Sequence, residues 1–402
     1  MTENQKQPDS GTQDDNSNGV LFLRHPKAIE NPIEWYSSKI AGVPFILRDL
    51  LTLKRAGIKT LAVFMEDPHG HLKKPFEKLL KDSRLPKNIP WINNIPQLKE
   101  WIQNNPTYIF NGSALHNKKE LHSLIHSNSK NERASTFPIN PEKLNELLLD
   151  NPTAIQSQQK DFPIYVPGAT EAQIQEPEDF KRLHEIQVGG SGLSHDSSIT
   201  RILSRPASRL LTRMFLNTPI SPNQITLLSF FLGLVSAFLF LQGSYGTSVI
   251  AAMLLVLSTW VDGADGEIAR LKFMETDIGK KLDIYCDNII HFLVFTAIGY
   301  GVYFKTDESI FLYLGGLAGL GGFTAFFLLS PILIDKRSLD NQLYHISEPE
   351  LAEKFANRDF IHFLLLVAVV DQIGIFIAVV AVGANLFAGY LVYSRLLKLR
   401  TA

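Results

Sequence analysis

The chain has 402 residues, enough for two or three domains, and carries a formal net charge of −1, so it has no general attraction to nucleic acid. Its single cysteine, Cys286, excludes an internal disulfide and any cysteine-based metal cluster. Composition is uneven: residues 1 to about 195 are mixed and polar, whereas long apolar runs dominate from about 222 onward.

Met1 to Asn18 is polar and acidic, lacks the apolar core of a signal peptide and reads as a disordered tail over 1–18. From residue 19 to 154 short apolar runs alternate with helical periodicity. Val20–Leu23 and Thr60–Met65 read as buried strands, and Tyr108–Phe110 as a third. Val43–Arg55, closed by Ala56-Gly57, and Lys118–Ile125 read as helices. Strands alternating with helices predict a parallel sheet in an α/β domain. Residues 155–198, with Pro163, Pro167, Pro177 and the cluster Gly189-Gly190-Ser191-Gly192, read as a linker.

The remainder, 199–402, predicts a membrane domain. Ile199 to Leu216 sets Arg201, Arg205, Arg209 and Arg213 among Leu, Ile and Phe. That suits a helix lying in the headgroup plane or an ordinary surface helix, and its position just before an apolar span favours the first. Six spanning helices are expected, at about 223–242, 246–267, 282–303, 309–333, 359–373 and 375–395. The fifth is short, interrupted by Asp371 and Gly374. Alternation of six helices puts Arg201–Arg213, Lys272–Lys281, Lys336-Arg337 with Arg358, and Arg395 to Arg400 on one side. By the positive-inside rule that side is cytoplasmic, together with the N-terminal domain.

Four carboxylates stand out between the second and third of these helices. Asp262 and Asp265 are three residues apart near the end of one, and Asp283 and Asp287 four apart at the start of the next. Both are same-face helical spacings, so a short turn can bring the pairs together. An aspartate at the centre of a spanning helix costs about 2.5 to 3.5 kcal/mol. Two such charges about 4 Å apart repel by roughly 4 kcal/mol at an effective dielectric of about 20. Four in one pocket therefore require protons or cations, and all-oxygen ligands suit Mg²⁺ or Mn²⁺. Two ions can grip a phosphoryl or diphosphate group. Around them, Gly266 and Ala269 leave room for a base or ribose, Arg270 suits a diphosphate, Thr276 is a hydroxyl donor, and Gly279 permits close helix packing.

The run Asp-x₂-Asp-Gly-x₂-Ala-Arg-x₈-Gly-x₃-Asp-x₃-Asp, complete from Asp262 to Asp287, resembles the signature of the CDP-alcohol phosphotransferases, over about residues 195 to 400. The resemblance implies a six-helix membrane fold, usually homodimeric. It also implies transfer of a phospho-alcohol from a CDP-alcohol donor to an alcohol or polyol-phosphate acceptor, with release of CMP. Carried over, Asp262, Asp265 and Asp283 would ligate metal, and Asp287 would both ligate metal and accept the acceptor's proton. Gly266, Arg270 and Thr276 would contact the CDP moiety, with Ser221, Pro222, Asn223 and Gln224 nearby. Lys336, Arg337 and Arg358 suit an acceptor phosphate or serve only as topology-setting charges. Donor readings divide between CDP-diacylglycerol, in phospholipid synthesis, and a soluble CDP-polyol such as CDP-inositol. A non-catalytic membrane scaffold is the contrasting reading, which the complete aspartate set opposes.

Gly42-Val43-Pro44-Phe45-Ile46-Leu47-Arg48 and Leu53 to Ile58 resemble the start of sugar-phosphate nucleotidyltransferases. The order of the two parts is similar to bifunctional inositol-phosphate cytidylyltransferase and di-myo-inositol-phosphate-phosphate synthases. The first strand, however, runs into Arg24-His25-Pro26-Lys27-Ala28, with no glycine to cradle a triphosphate and a proline that removes a donor. Asn111-Gly112-Ser113 likewise has no carboxylate for a metal. A degenerate nucleotidyltransferase-like domain is the expectation.

Overall fold

The computed structural model describes residues 18–24, 31–67, 69–102, 106–126, 137–138, 144, 163–190, 200–338 and 359–401, and divides into two compact units, 1–187 and 188–402. The expected tail up to residue 17, His25 to Ala28 and Arg358 fall outside the described residues.

In the first unit, strands β1 (Asn18–Leu23), β4 (Thr60–Met65), β5 (Trp91–Ile92), β6 (Thr107–Asn111), β7 (Phe137–Pro138) and β8 (Ile164–Val166) form one sheet in the order β5-β4-β1-β6-β8-β7. All pairs are parallel except β7 with β8. Every residue of β1 is buried, as expected of a central parallel strand covered on both faces. Helices α1 (Pro32–Ser37), α2 (Phe45–Arg55), α3 (Lys73–Leu80), α4 (Ile95–Ile102), α5 (Lys118–His126) and α6 (Pro177–Gly189) complete the α/β unit.

Two expectations need correction. Val43-Pro44 does not begin the helix: it pairs with Lys39-Ile40 in a two-stranded hairpin (β2, β3), and α2 starts at Phe45. The turn at Ala41-Gly42 has positive φ at both residues, and Arg48 secures it by donating to the Ile40 and Ala41 carbonyls. Nor is 155–198 simply a linker. Ile164–Val166 pairs with Tyr108–Phe110, and α6 packs Phe180 edge-on against Trp35 and Phe45. The prolines punctuate β8 and α6 rather than marking loose chain.

The second unit is helical. One π-helical turn (Thr200–Ser204) leads into α7 (Arg205–Leu216), followed by α8 (Pro222–Phe240), α9 (Tyr245–Leu271), α10 (Asp277–Thr306), α11 (Ile310–Ser338), α12 (Asp359–Val369) and α13 (Ile373–Thr401). Among the described residues, five helices (α8, α9, α10, α11 and α13) are long and apolar enough to cross a membrane. The sixth expected span is the short helix α12. Its eleven residues rise about 16 Å, against roughly 30 Å of hydrocarbon, and it ends where Asp371 takes a positive φ. It still belongs to the bundle, since Leu364 and Ala368 are fully buried with Ile298, Ala318 and Ile377. Glycines set the tightest crossings: a Cβ on Gly299 would lie 2.6 Å from Gly315 Cα, and one on Gly301 would overlap the Phe240 carbonyl.

The first unit hides two ionisable groups with opposite effects. Burial pushes the Asp49 carboxyl well above its usual range, and burial lowers His116 to about 4, countered by its contact with the Asn111 carbonyl. Unfolded His116 takes a proton below about pH 6.5 that the folded chain refuses, so its share of stability falls as pH drops to about 4. Unfolded Asp49 loses a proton above about pH 3.9 that the folded chain keeps, so its share falls as pH rises. The two oppose each other over the same window. Asp49→Asn should unmask a loss of about 3 kcal/mol on acidification from pH 6.5 to 4, and His116→Gln a gain. Urea unfolding followed by tryptophan fluorescence checks this, since Trp35, Trp91 and Trp101 lie in this unit and only Trp260 outside it; parallel slopes in the two variants would refute it.

Candidate active site

The aspartate motif folds as the last turns of α9, a short turn, and the first turns of α10. Lys272 closes α9, Phe273 adopts a positive φ, and Thr276 caps α10 by accepting from the Gly279 N–H at 3.0 Å. The turn between the helices is five residues long, so their facing ends must lie together.

The structure brings Asp262, Asp265 and Asp283 into one cluster. One carboxylate oxygen from each lies within 4.8 Å of the others, with Asp262 and Asp265 buried and Asp283 half-buried. Asp287, one turn further along α10, lines a small adjoining cavity with Asp262, Ser229, Ser258, Cys286 and His291. Hard oxygen donors converging at this spacing fit Mg²⁺ or Mn²⁺, and repulsion at such range opposes convergence without positive charge. The residues present therefore fit a divalent cation, with Asp262, Asp265 and Asp283 to hold it.

Helix α8 completes the wall. Ser221 and Gln224 form a capping box, in which Ser221 accepts from the Gln224 N–H and Gln224 Oε1 accepts from the Ser221 N–H. Their side chains are therefore engaged at the helix end, while Asn223 sits against the start of α10: a Cβ on Gly279 would be 2.8 Å from Asn223 Oδ1. One turn on, the buried Thr226 hydroxyl donates to Asp265 Oδ2, and Ser229 Oγ lies 3.4 Å from Asp262 Oδ1. Sequence reading missed both residues. Their signal was a hydroxyl repeat at 226 and 229 on one face of an otherwise apolar helix, beginning from a recognised cap.

Gly266 is half-buried beneath Arg270, whose Nη1 would lie 3.3 Å from a Cβ there. Ala269 is half-buried and Thr276 exposed, at the open edge of the site. The N-termini of α8 and α10 meet at Asn223 and Gly279, and their positive dipole ends favour a phosphate-bearing ligand. Of the acceptor candidates, Lys336 and Arg337 lie on the last turns of α11 rather than in a loop, and their side chains are outside the described residues.

Helix α7 departs from the expected split between a basic face and an apolar face. Its protein-facing stripe is Arg205, Ser208, Thr212 and Leu216, all buried, while Leu210 and Met214 stand exposed. Arg205 is thus withdrawn from any headgroup into a 2.8 Å ion pair with Glu267. Lys272, also buried, donates to the Thr218 carbonyl at 2.9 Å.

Comparison with known proteins places a family match in this unit. Residues 219–384 match the family model for CDP-alcohol phosphatidyltransferases. A protein of Rubrobacter xylanophilus named bifunctional IPC transferase and DIPP synthase is 31% identical over 134 residues, covering 33% of this chain and 30% of the relative. One of the same name from Archaeoglobus fulgidus is 34% identical over 146 residues, covering 35% and 28%. The chain thus spans about a third of the length of the curated relatives it matches. Among solved structures, Mycobacterium tuberculosis phosphatidylinositol phosphate synthase with CDP-DAG bound is similar at 18% identity and a TM-score of 0.34, over 47% of this chain and 92% of that one. Residues 219–384 thus resemble a CDP-alcohol phosphatidyltransferase domain.

Proposed function

We propose that the helical unit is an integral-membrane transferase that moves a phospho-alcohol from a CDP-alcohol to an acceptor hydroxyl and releases CMP. The observation that carries this reading is the convergence of Asp262, Asp265 and Asp283 from two helix ends within 4.8 Å, inside the matched domain. Asp287 completes the set as ligand and base. Two ions held there would neutralise the diphosphate and stabilise the attacking and leaving oxygens.

Asp287 takes the proton as the acceptor oxygen attacks the phosphorus that bears the alcohol. The new ester bond forms there, the anhydride bond to the CMP phosphate breaks, and that phosphate leaves with the bonding electrons. A carboxylate is a weak base, but it sits beside the cavity in which the hydroxyl would be held, and general-base help contributes about 10² to 10⁴. Thr226 and Ser229 hold Asp265 and Asp262 from behind. Arg270, Gly266, Ala269 and the ends of α8 and α10, with Ser221 to Gln224, Thr276 and Gly279, receive the CDP moiety. Lys336, Arg337 and Arg358 are proposed for an acceptor phosphate.

The site lies on the cytoplasmic face of a homodimer, with the first unit on the same side of the membrane. The first unit is proposed as a degenerate nucleotidyltransferase-like scaffold. Support comes from Asn111, whose side chain donates to the Pro167 carbonyl and accepts from the Ser113 N–H and so is occupied in its own loop. Whether the donor is CDP-diacylglycerol or a CDP-polyol divides the two readings, and the name shared by the Rubrobacter and Archaeoglobus relatives favours the second.

Purified protein with Mg²⁺, offered CDP-inositol or CDP-diacylglycerol and a panel of alcohols, should release CMP from one donor only. Asp287→Asn should lower that release about a hundredfold or more at unchanged expression; near-native turnover would sink the mechanism. Trypsin should remove the first unit from inverted vesicles and spare it in right-side-out ones, and the reverse pattern would overturn the orientation. With CTP and inositol phosphate, the chain should release no pyrophosphate above a protein-free control.

A further inference from the structure

Among the described residues, Glu267 is the most deeply buried charged group in the helical unit, with no exposed surface, and it follows Asp265 by two residues. Both its carboxylate oxygens are held from α7: Arg205 Nη1 donates to Oε1 at 2.8 Å and Thr212 Oγ1 to Oε2 at 2.8 Å. Between these contacts, Ser208 Oγ donates to the Trp260 carbonyl at 3.1 Å. A Cβ on Gly263 would come within 2.6 Å of that hydroxyl, so only a glycine leaves room for Ser208 there. On α7, Arg205 and Thr212, two turns apart, thus converge on Glu267 of α9, while Ser208 between them meets Trp260 and Gly263. Asp262 and Asp265 are interleaved with these α9 residues, so any rotation of the last turns of α9 moves both carboxylates relative to Asp283.

We propose that Glu267 is a positioning residue: gripped by Arg205 and Thr212, it fixes the rotation of α9 about its axis and thereby aims Asp262 and Asp265 at Asp283. This rests on the reading of that cluster as a metal-holding site. The polar character of the clamp is the point. Apolar contact between two helices is non-directional and tolerates sliding or rotation, whereas two charge-assisted hydrogen bonds from residues two turns apart define one angle. A buried ion pair is a poor choice for stability alone, since apolar residues of similar volume are often as good or better. Its presence here is accounted for by geometry.

The test separates positioning from folding by using Mn²⁺ alone as probe, read as the metal-dependent shift in Tm of the detergent-purified full chain. Glu267→Gln should raise the Mn²⁺ concentration for half-maximal shift about tenfold and lower CMP release per folded molecule about as much. Because that variant leaves the Arg205 charge buried without its counter-charge, the double variant Arg205→Met with Glu267→Leu provides the decisive arm. It should recover the metal-free Tm of the native chain while its Mn²⁺ response stays weakened about tenfold. A double variant native in both Tm and Mn²⁺ response would overturn the proposal and reduce the pair to packing. A native chain that shows no Mn²⁺-dependent shift would instead overturn the metal-site reading on which the clamp depends. A native chain that responds alongside a Glu267→Gln that responds equally would sink the clamp alone.

Discussion

Mutual repulsion among carboxylates is the constraint on which the helical unit is built. Three aspartate side chains that converge within 4.8 Å at the end of an apolar bundle oppose their own assembly, so the protein must hold them by other means. The means are at hand on every side. Hydroxyls of Thr226 and Ser229 face Asp265 and Asp262, the capped N-termini of α8 and α10 bring positive dipole ends to the same place, and Arg270 lies over Gly266. Each is a modest contribution in isolation. Together they make a region that accepts negative charge, which is also what a diphosphate requires.

The same constraint explains why α9 is anchored so heavily. Its final turns carry two aspartates, a glutamate and an arginine on different faces, and a helix end with that many charges has no reason to keep one rotation in a bilayer. Apolar packing of Val261 and Ile268 with Ile225 supplies the attraction, and the polar stripe of α7 supplies the angle. Helix α7 is thus a structural partner of the site, with Leu210 and Met214 left exposed on its other side.

Legibility in the sequence followed the range of the interaction. The strands Val20–Leu23 and Thr60–Met65 were readable because a run of buried β-branched and aromatic residues needs no partner to be recognised. The aspartate pairs were readable because their spacing is local to two helix ends. What failed was whatever depended on a distant partner. Ile164–Val166 is three residues long and becomes a strand only beside Tyr108–Phe110, more than fifty residues earlier. Pro44 looked like the first turn of a helix, yet Val43-Pro44 pairs back on Lys39-Ile40 before the helix begins. Arg205 looked like a headgroup contact because its counter-charge, Glu267, lies sixty-two positions away. The length of α12 was misjudged for a local reason: Asp371 and Gly374 were visible as interruptions, but the break at Asp371 comes early enough to leave only eleven helical residues described.

The two units also differ in how they treat polar groups at the ends of their elements. In the α/β unit the sheet order reverses between β1 and β6, where open α/β sheets place their ligands. There the chain satisfies its own groups: the Gly112 N–H donates to Phe22, His116 contacts the Asn111 carbonyl, the Tyr36 hydroxyl donates to Arg24, and Arg24 in turn donates to Tyr165. A Cβ on Gly112 would collide with the Phe22 carbonyl at 2.7 Å, so the crossing is closed to the backbone as well. In the helical unit the equivalent economy is reversed. Side chains there hold carboxylates in place, with the Thr226 hydroxyl on Asp265 and Ser229 on Asp262. A chain that closes one crevice with its own hydrogen bonds while converging Asp262, Asp265 and Asp283 in the other gathers its carboxylates where a divalent cation fits.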